Sequence, residues 1–467
     1  MNDKALADAV SAFGKAVAAR LSSAAASGEP EDQLRGPFEN LVQQLAPLCG
    51  LKLTPVVTIG ESSVADLKTR PDYAVTVGGA LVGFIELKAP GKGGDPRRFR
   101  AGHDKAQWQR LQALPNLIYT DGNEFSLWRG GELATALVRI EGDIETSGAA
   151  LRAGPGLVAL FDFFLNWKPQ PPRSVKELAD VAAKLCRLLR DEVVEALARK
   201  TEALTTLAHD WRGLLFPQAS DEQFADGYAQ AVTFGLLMAR ARGIAIGNDL
   251  HKVAMGLKDS ASLIGAALQL LTDNPETRQA LKTSLGTLER VLDAVDWPTL
   301  SKGNADAWLY FYEDFLETYD NTLRKQTGSY YTPPEVVGAM VSLVDQALKR
   351  PGFALPLGLA ADGVTVADPA TGTGTFVLGV LRHLAARVRE DEGDGAVPAA
   401  VQSALKRLVA FELQLGPFAV AQLRMLAEVL ALTGELPKVA PRMYVTDTLS
   451  NPHDDGGSFP GFTAAIG

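Results

Sequence analysis

The stretch that decides the fold is Val364-Thr365-Val366-Ala367-Asp368-Pro369-Ala370-Thr371-Gly372-Thr373-Gly374-Thr375-Phe376. Its alternating valines predict a short strand that runs into Asp368, and the apolar spacing of residues 377–384 predicts a helix after the turn. A strand, a glycine-rich turn and a helix together present backbone N–H groups to a ligand at the mouth of an α/β sheet. Gly372 and Gly374 lack a Cβ, so the chain can turn sharply there and approach a ligand closely. Glycines also occur in βα turns that bind no ligand, so this turn alone does not predict a binding site. Evidence from other segments of the sequence is needed.

Three further segments surround this turn in the sequence. Gly328-Ser329-Tyr330-Tyr331-Thr332-Pro333-Pro334-Glu335-Val336-Val337 precedes it, and Leu408-Val409-Ala410-Phe411-Glu412 and Met443-Tyr444-Val445-Thr446-Asp447-Thr448-Leu449 follow it. In this order the four segments resemble motifs X, I, II and III of the γ-class adenine-N6 DNA methyltransferases of restriction–modification systems. The resemblance implies that residues 321–467 are the N-terminal part of an S-adenosylmethionine-dependent methyltransferase domain, with the first half of a Rossmann-like sheet.

The same resemblance implies a role for each motif residue in cofactor binding. It places Asp368 at the methionine end of S-adenosylmethionine, Glu412 at the ribose hydroxyls and Asp447 at the adenine amino group. Two alternatives stay open from the sequence: Glu412 as a cap of the next helix, and Asp447 as a helix cap or turn residue. The implied cofactor-binding residues are Tyr331, Thr332, Pro333, Asp368, Ala370, Gly372, Thr373, Gly374, Phe376, Glu412 and Asp447.

The sequence departs from the family pattern in two places. Glu412 follows Asp368 by 44 residues, against roughly 20 in the dinucleotide-binding fingerprint. We expect an insertion at Glu390–Gly395 to account for this spacing, which also disfavours a nicotinamide dehydrogenase. The second departure is that no Asn/Asp-Pro-Pro-Tyr/Phe tetrapeptide follows motif III, and Asn451-Pro452-His453-Asp454 echoes it only partly. We therefore expect a truncated form, with the second half of the domain and the target-recognition domain supplied by the same gene or a partner chain, and no methyl transfer by this fragment alone.

A second candidate site lies near the front of the chain. Tyr73–Val77 and Ala80–Lys88 flank Gly78-Gly79 and predict a β-hairpin, with Asp72 at the start of its first strand. Glu86 and Lys88 are two residues apart, so they project from the same face of the second strand. Two carboxylates can hold a divalent metal, and a lysine beside them can orient the attacking water near a phosphate. The alternative is an exposed hairpin with solvated charges.

The hairpin residues resemble the motif of the PD-(D/E)XK nuclease superfamily. The resemblance implies a nuclease-like α/β domain in residues 1–167 that binds Mg²⁺ through Asp72 and Glu86, with Lys88 as the third catalytic residue. Glu39, on a predicted helix that precedes the hairpin, matches loosely the acid that this superfamily often adds. Gln107 matches the glutamine that follows the ExK strand in restriction-type nucleases, and Gln109 is an equally placed rival.

A basic segment follows the hairpin directly. Dense lysine and arginine beside a phosphodiester site are natural contacts for the DNA backbone, whereas the alternative is a solvated surface loop. Double-stranded DNA is therefore an expected partner. The predicted DNA-binding residues are Lys92, Arg97, Arg98, Arg100 and Lys105.

Between the two candidate sites the pattern is almost entirely helical. The proline-rich run Lys168–Ser174 predicts a linker, and residues 168–320 predict an all-helical connector without metal-ligand or nucleophile spacing. We also expect strands at Leu51–Val57 and Ala136–Ile140. The fold class that we predict is thus multidomain α/β: a nuclease-like domain, a helical connector and half of a methyltransferase sheet.

Composition limits the remaining possibilities. The net charge of −9 argues against a protein that coats DNA, although a local basic strip is compatible with it. No apolar run reaches the ~18 residues of a membrane span. The first residues show no signal peptide, and the two cysteines, Cys49 and Cys186, argue against a disulfide framework. We expect a cytoplasmic protein.

The order of nuclease, helical connector and methyltransferase motifs is similar to that of type IIG and type IIL restriction–modification enzymes. Type ISP enzymes are also similar but insert a helicase, for which about 150 connector residues are too few; no GxxxxGK[ST] motif is present. The resemblance implies a phage-defence protein with hydrolase and transferase activities, namely a Mg²⁺-dependent DNA endonuclease and an adenine DNA methyltransferase. The alternative is a non-cleaving DNA-binding subunit of a multi-gene defence system, with a structural nuclease fold and a cofactor-sensing pocket.

Overall fold

The structure is a computed structural model that describes residues 2–23, 29–60, 70–214, 219–247, 250–258, 268, 274–302, 307–320, 332–435, 437 and 441–448. The chain divides into two compact units. The first comprises residues 1–170 and 282–287, and the second comprises residues 171–281 and 288–467. The mixed α/β composition expected from the sequence is confirmed in the described residues.

The first unit contains four helices. In chain order, two precede the strands of its sheet, one lies between two strands, and one follows the last strand. Two 3-10 turns, at Pro30–Gln33 and Ala46–Cys49, flank the second helix. Further 3-10 turns lie at Pro96–Arg98 and Gly148–Ala150. The helices are α1 (Asn2–Leu21), α2 (Arg35–Leu45), α3 (His103–Leu111) and α4 (Leu157–Leu165).

A mixed seven-stranded sheet forms the centre of this unit. Its order is β1-β2-β3-β4-β5-β6, and β7 also pairs with β5. Strands β3 and β4 are parallel, while the other pairs are antiparallel. The strands are β1 (Val56–Gly60), β2 (Tyr73–Val77), β3 (Ala80–Leu87), β4 (Leu117–Thr120), β5 (Glu124–Arg129), β6 (Glu132–Leu133) and β7 (Val138–Arg139).

Two strand predictions in this unit were wrong in extent. The strand expected at Leu51–Val57 begins only at Val56, directly after Pro55, a residue without an N–H for the ladder. The strand expected at Ala136–Ile140 is confined to Val138–Arg139. It pairs there with the first two residues of β5, Glu124 and Phe125, which limits the ladder.

The core of the first unit lies between the sheet and helices α1, α2 and α4. On α1, the buried residues Ala9, Phe13 and Val17 are spaced four apart and so lie on one face of the helix. Phe38 of α2 contacts the rings of Phe13 and Phe125 at centroid distances of 6.2 and 6.3 Å. This packing fixes α2, and hence the turn before it, against the sheet.

Among the described residues, the second unit begins with helices, over the segment that the sequence predicts to be a connector. The aromatic residues of α12 pack inward, with Phe315 5.1 Å from Phe234 of α7 between ring centroids. The helices are α5 (Val175–Ala198), α6 (Glu202–Leu214), α7 (Asp221–Ala241), α8 (Leu250–Lys258), α9 (Pro275–Ala280), α10 (Lys282–Asp293), α11 (Trp297–Ser301) and α12 (Ala307–Tyr319). The first six residues of α10 belong to the first unit.

A three-stranded parallel sheet with flanking helices completes the second unit. Its order is β10-β9-β8, so β9 pairs along both of its edges. The strands are β8 (Val366–Asp368), β9 (Leu408–Glu412) and β10 (Arg442–Val445). The helices are α13 (Pro334–Lys349), α14 (Thr375–Glu392), α15 (Val397–Arg407) and α16 (Leu415–Thr433), with 3-10 turns at Gly358–Ala360 and Asp394–Ala396.

The explanation expected for the long spacing from Asp368 to Glu412 was wrong. Residues 390–395 do not form an inserted loop; α14 continues through Glu392, and the helix α15 follows. Val397, Val401 and Leu405 of α15 are buried in the core around the sheet. A second packed helix, rather than an added loop, therefore fills the crossover from β8 to β9.

Two further properties of the described residues concern their helices and their cysteines. Within the ranges that the structure describes, no helix has both the length and the apolar character needed to cross a membrane. Cys49 and Cys186 are buried free thiols, and burial raises the pKa of each to about 12. These thiols are therefore protonated near neutral pH.

Candidate functional site

The first candidate site lies at the ends of β2 and β3. The register pairs Tyr73 with Ile85, so Asp72 stands opposite Glu86 one position further along. The backbone N–H of Asp72 donates to Glu86 Oε2 at 3.3 Å, and the N–H of Leu87 donates to Asp72 Oδ2 at 2.8 Å. Burial raises the pKa of both carboxyl groups, that of Glu86 to about 8. The hairpin thus brings the two acids together in a largely dry position.

Lys88 joins this pair from the end of β3. Its Nζ donates to Glu86 Oε1 at 2.6 Å and lies 3.4 Å from Asp104 Oδ1. Only 3% of the lysine is exposed. Burial alone would lower its pKa, but the neighbouring acids Glu86, Asp104 and Glu31 together outweigh burial and raise the pKa above the usual value. The ammonium is therefore retained as a cation between two acids.

The structure also brings Gln107 to Lys88. Gln107 Oε1 accepts a hydrogen bond from Lys88 Nζ at 2.9 Å, and the side chain is buried. Its neighbour Trp108 fixes α3 against the sheet, with its ring 4.8 Å from that of Trp128. The sequence left Gln107 and Gln109 equally placed, and the structure favours Gln107 because Gln109 is exposed.

Glu39 of α2 contacts the first residue of β2. Its Oε1 accepts a hydrogen bond from the hydroxyl of Tyr73, the chain neighbour of Asp72, at 2.9 Å. Glu31, on the 3-10 turn before α2, is a further acid near the hairpin. Its charge adds to the raised pKa of Glu86, for which burial is the largest cause, and to the raised pKa of Lys88.

Arg35 is a further member of this site that the sequence did not reveal. Its Nη2 lies 2.6 Å from Asp72 Oδ1, and its Nε lies 3.1 Å from Asp32 Oδ1. The only available signal was the run Glu31-Asp32-Gln33-Leu34-Arg35, which reads as an ordinary charged helix start.

The five predicted DNA-binding residues differ in whether an acidic side chain pairs with them. Asp95 Oδ1 and Oδ2 accept from Arg97 Nε and Nη2, both at 2.9 Å, and Arg98 lies 3.3 Å from the same carboxylate. Lys92 Nζ donates to Asp104 Oδ2 at 2.8 Å. Arg100 is exposed and Lys105 half-buried. Of the four exposed cations, Arg100 is the one without an acidic partner in the ranges that the structure describes.

The donors of this site suit a hard divalent cation only in part. Asp72 and Glu86 supply adjacent carboxylate oxygens, the ligand type that Mg²⁺ prefers, and Glu31 adds a third negative charge nearby. However, no group of three or more His, Cys, Asp or Glu side chains is arranged as a ligand set anywhere in the described ranges. Arg35 and Lys88 already contact one oxygen of each carboxylate.

The second candidate site is the turn after β8. Gly372 and Gly374 have φ values of 56° and 85°, in the left-handed region that favours glycine. The turn is fixed to β9 because the N–H of Thr371 donates to the carbonyl of Phe411 at 2.9 Å. A Cβ at Gly372 would meet nothing within 4 Å, whereas one at Gly374 would lie 3.3 Å from Ala421. The turn is therefore open at Gly372 and packed at Gly374.

Glu412 connects the end of β9 to this turn. Its Oε2 accepts from the N–H of Gly372 at 2.9 Å, and its Oε1 accepts from the N–H of Gln414 at 2.8 Å. Burial raises the pKa of Glu412, although these two N–H groups oppose the shift. An ionised carboxylate has about four acceptor positions, so capacity for ligand hydroxyls remains. The bond to Gln414 shows that Glu412 also serves the turn before α16.

The two carboxylate oxygens of Asp368 differ in their hydrogen bonding. Its Oδ1 accepts from the N–H of Ala370 at 3.3 Å, whereas its Oδ2 is buried and has no hydrogen-bond partner among the described residues. Burial raises the pKa of this carboxyl group. An orphaned buried acceptor beside an open glycine turn is the fit expected of a site that receives a donor group from a ligand.

Arg424 is the functional residue of this turn that the sequence did not reveal. It lies on α16 with 2% of its surface exposed, and its Nη1 donates to the carbonyl of Thr373 at 2.8 Å. The same nitrogen lies 3.1 and 3.2 Å from the hydroxyls of Thr373 and Thr375. A single arginine within the apolar run Phe418–Leu432 was the signal that could have found it.

The remaining predicted cofactor residues occupy varied positions. Phe376 is half-buried against the core and Asp447 is exposed beyond the end of β10. The carbonyl of Pro333 accepts from Val336 and Val337 at the start of α13, with Thr332 half-buried before it. Tyr331 lies outside the described residues.

Residues 304–433 match the family described as "N-6 DNA Methylase". This match covers less than half of the chain and includes α12, the helices α13 to α16 and strands β8 and β9. It confirms the methylase part of the resemblance for this segment. The match begins inside the predicted connector, so α12 belongs with the methylase segment. No curated protein matches the sequence.

Several solved structures are similar to the chain at low identity. The "cryoEM structure DrdV-DNA complex" is 20% identical, with a TM-score of 0.42, over 92% of this chain and 39% of that chain. The "ATP-dependent Type ISP restriction-modification enzyme LlaBIII bound to DNA" is 18% identical, with a TM-score of 0.44, over 69% of this chain and 20% of that one. The present chain thus spans well under half the length of either.

Proposed function

We propose that this chain combines a Mg²⁺-dependent DNA endonuclease with the cofactor-binding part of an adenine-N6 DNA methyltransferase, as in a restriction–modification or phage-defence enzyme. The match of residues 304–433 to N-6 DNA methylases supports the second activity. The observation that carries the first is the convergence of Asp72, Glu86, Lys88 and Gln107 at adjacent strand ends.

In the endonuclease half, Asp72 and Glu86 would hold the metal. Bound Mg²⁺ would lower the pKa of a water and neutralise charge on the phosphate. Lys88, fixed by Gln107, would orient that water and stabilise the phosphate charge. Arg100 and its basic neighbours would hold the DNA backbone through phosphate contacts.

In the methyltransferase half, the turn at Gly372 and the acids around it would hold S-adenosylmethionine, which supplies the methyl group. Asp368 Oδ2 would accept from the methionine amino group, and Glu412 would accept from the ribose hydroxyls. Arg424 would keep the turn in the conformation that binds the cofactor, through its hydrogen bond to the carbonyl of Thr373. The proposal covers the cofactor side of the transfer.

Plasmid cleavage tests the nuclease half. With Mg²⁺ present, the wild-type protein should nick or cut plasmid DNA, and Asp72→Ala and Lys88→Ala should abolish the activity. Because an unpaired buried Glu86 costs about 3–5 kcal/mol, the melting temperature of each variant must be measured alongside. Equal nicking by three folded proteins would contradict the assignment.

Calorimetric titration with S-adenosylmethionine tests the cofactor half. Gly372→Trp should abolish binding because the side chain would occupy the open face of the turn, and Asp368→Ala should weaken it. Gly363→Trp is the matched control, since a Cβ there also meets nothing within 4 Å but the position precedes β8. Binding that is unaffected by Gly372→Trp would remove the assignment.

The second candidate function is a non-cleaving DNA-binding subunit with a structural nuclease fold and a cofactor-sensing pocket. The observation that favours it is that Arg35 and Lys88 already neutralise Asp72 and Glu86. It predicts DNA binding without Mg²⁺-dependent cleavage, together with retained binding of S-adenosylmethionine. Plasmid cleavage by the wild-type protein separates the two functions.

A further inference from the structure

Arg35 contacts the carboxylate that the proposed nuclease needs for its metal. The guanidinium bridges two acids, with Nη2 2.6 Å from Asp72 Oδ1 and Nε 3.1 Å from Asp32 Oδ1. The other oxygen of Asp72 accepts from the N–H of Leu87 at 2.8 Å. Both oxygens of this carboxylate are therefore engaged, and one of them is engaged by a full positive charge.

A divalent metal and this guanidinium compete for the same oxygen. Mg²⁺ requires oxygen ligands at about 2.0–2.1 Å in near-octahedral geometry, which a cation bonded to Asp72 Oδ1 obstructs by space and by charge. Lys88 makes a comparable contact with Glu86, but its position two residues along the same strand is fixed by the motif. Arg35 comes from a different element, the start of α2, and its side chain is 25% exposed.

Arg35 has a second acidic partner besides Asp72, namely Asp32. Asp32 lies three residues before it on the same segment, and its Oδ1 forms an ion pair with Arg35 Nε at 3.1 Å. The guanidinium can leave Asp72 and stay paired with Asp32, whereas the Leu87 N–H keeps the Asp72 side chain pointing into the site. Displacement therefore does not expose an uncompensated buried charge.

We propose that Arg35 competes with the divalent metal for Asp72 and so sets the metal affinity of the site. This inference rests on the proposed nuclease function. Its consequence is a site that is held in a metal-free arrangement until the metal displaces the guanidinium. Neutralising Arg35 should then strengthen metal binding rather than weaken it.

Isothermal titration with Mn²⁺, without DNA, tests the proposal on the full-length chain. Arg35→Gln should bind Mn²⁺ more tightly than wild type, on the order of tenfold given one close unit charge removed. Arg35→Lys keeps the charge but loses the two-point fork, so its affinity should lie between the two and decides the matter if Arg35→Gln fails to fold. Arg152→Gln, an exposed arginine that donates to backbone carbonyls, controls for the loss of one charge.

The outcomes are distinguishable. Tighter binding by Arg35→Gln that Asp72→Asn removes in the double variant supports the inference. Equal affinity for wild type and Arg35→Gln, or an equal gain in Arg152→Gln, overturns the inference and leaves the metal site standing if Asp72→Asn still abolishes binding. Binding that is indifferent to Asp72 in every variant overturns the metal site and the inference together.

Discussion

At the scale of single residues, the environment of a charge decides what it can do. Arg97 and Arg100 are both exposed arginines in the basic segment, but Arg97 is held by two hydrogen bonds to Asp95 and lies over the ring of Trp128. Arg100 has no acid beside it in the part of the chain that the structure describes. Sequence alone counts the two as equal phosphate contacts, because side-chain pairing is invisible to it.

Arg100→Gln should therefore weaken DNA binding more than Arg97→Gln. Removing one phosphate contact should lower the slope of log affinity against log salt by about one unit, whereas Arg97 would first have to give up Asp95. Fluorescence anisotropy of a labelled duplex over a salt series measures both quantities. A larger loss for Arg97→Gln would mean that Asp95 does not restrain its partner.

Glu289 supplies a titration with a clear sign. Burial raises its pKa to about 7, although Arg278 opposes the shift. Because the folded protein holds this proton more tightly than the unfolded chain, the group's contribution to stability is complete below pH 4.5 and is lost as the pH rises through 7. Each pKa unit is worth ~1.4 kcal/mol, so the loss should be about 3 kcal/mol.

Glu289→Gln should flatten that part of the stability profile. Urea unfolding of the wild type and the variant between pH 4 and pH 8 tests this, with the exposed Glu317→Gln as the matched control. A wild-type profile that rises with pH over this window, with no change in the variant, would contradict the assignment of a retained proton to Glu289.

At the scale of elements, the sequence predicted most helices and the strands that carry the sites. Apolar periodicity was enough to predict helical structure in the segment that contains α5, α7 and α12. The strand bounds failed where pairing partners set the length, as at β1 and β7. Of the candidate site, the sequence supplied Asp72, Glu86 and Lys88, which lie in or at the ends of two strands. Alternate residues of a strand project from the same face, and pairing of neighbouring strands then brings such side chains together.

Among residues that reach a site from another element, the family resemblance supplied Gln107 and Glu39, and the others could not be predicted. Glu31, Arg35 and Arg424 lie on helical segments whose packing against the sheet depends on long-range contacts. Their roles follow from how α2 and α16 pack, and no local pattern encodes that.

The packing of α13 on α14 gives a matched pair of substitutions. Gly338 and Gly379 are each the fifth residue of their helix. A Cβ at Gly338 would meet nothing within 4 Å, whereas one at Gly379 would lie 2.5 Å from Val337 Cγ1. Gly338→Ala should stabilise by about 0.5–1 kcal/mol through helix propensity, and Gly379→Ala should destabilise by about 1–2 kcal/mol through overpacking.

Chemical denaturation of the two variants measures both signs. Val337→Ala provides the control for Gly379, because removing Cγ1 should make the added methyl group tolerable and the double variant less costly than the sum. Destabilisation of similar size in Gly338→Ala and Gly379→Ala would show that the interface at Val337 is not what makes Gly379 necessary.

At the scale of the whole molecule, the two candidate sites lie in different compact units. A ligand stabilises only the unit that binds it, by about 2.7 kcal/mol when its concentration is a hundred times its Kd. Differential scanning calorimetry should therefore show two transitions. S-adenosylmethionine should raise the one that Gly338→Ala also raises, and Mn²⁺ should raise the other. A shift of both transitions by either ligand would contradict the separation of the sites.

The strand β9 has neighbours on both sides, since Val409 is paired with Arg442 and with Ala367. After transfer to heavy water, the amides of Val409 and Ala410 should retain their protium longest in this sheet, because release requires both flanking strands to separate. The outward amides of Val366–Asp368 should incorporate deuterium within the earliest time points. Amide exchange in this sheet would then be slowest in the strand that ends at Glu412 and fastest in the strand that ends at Asp368.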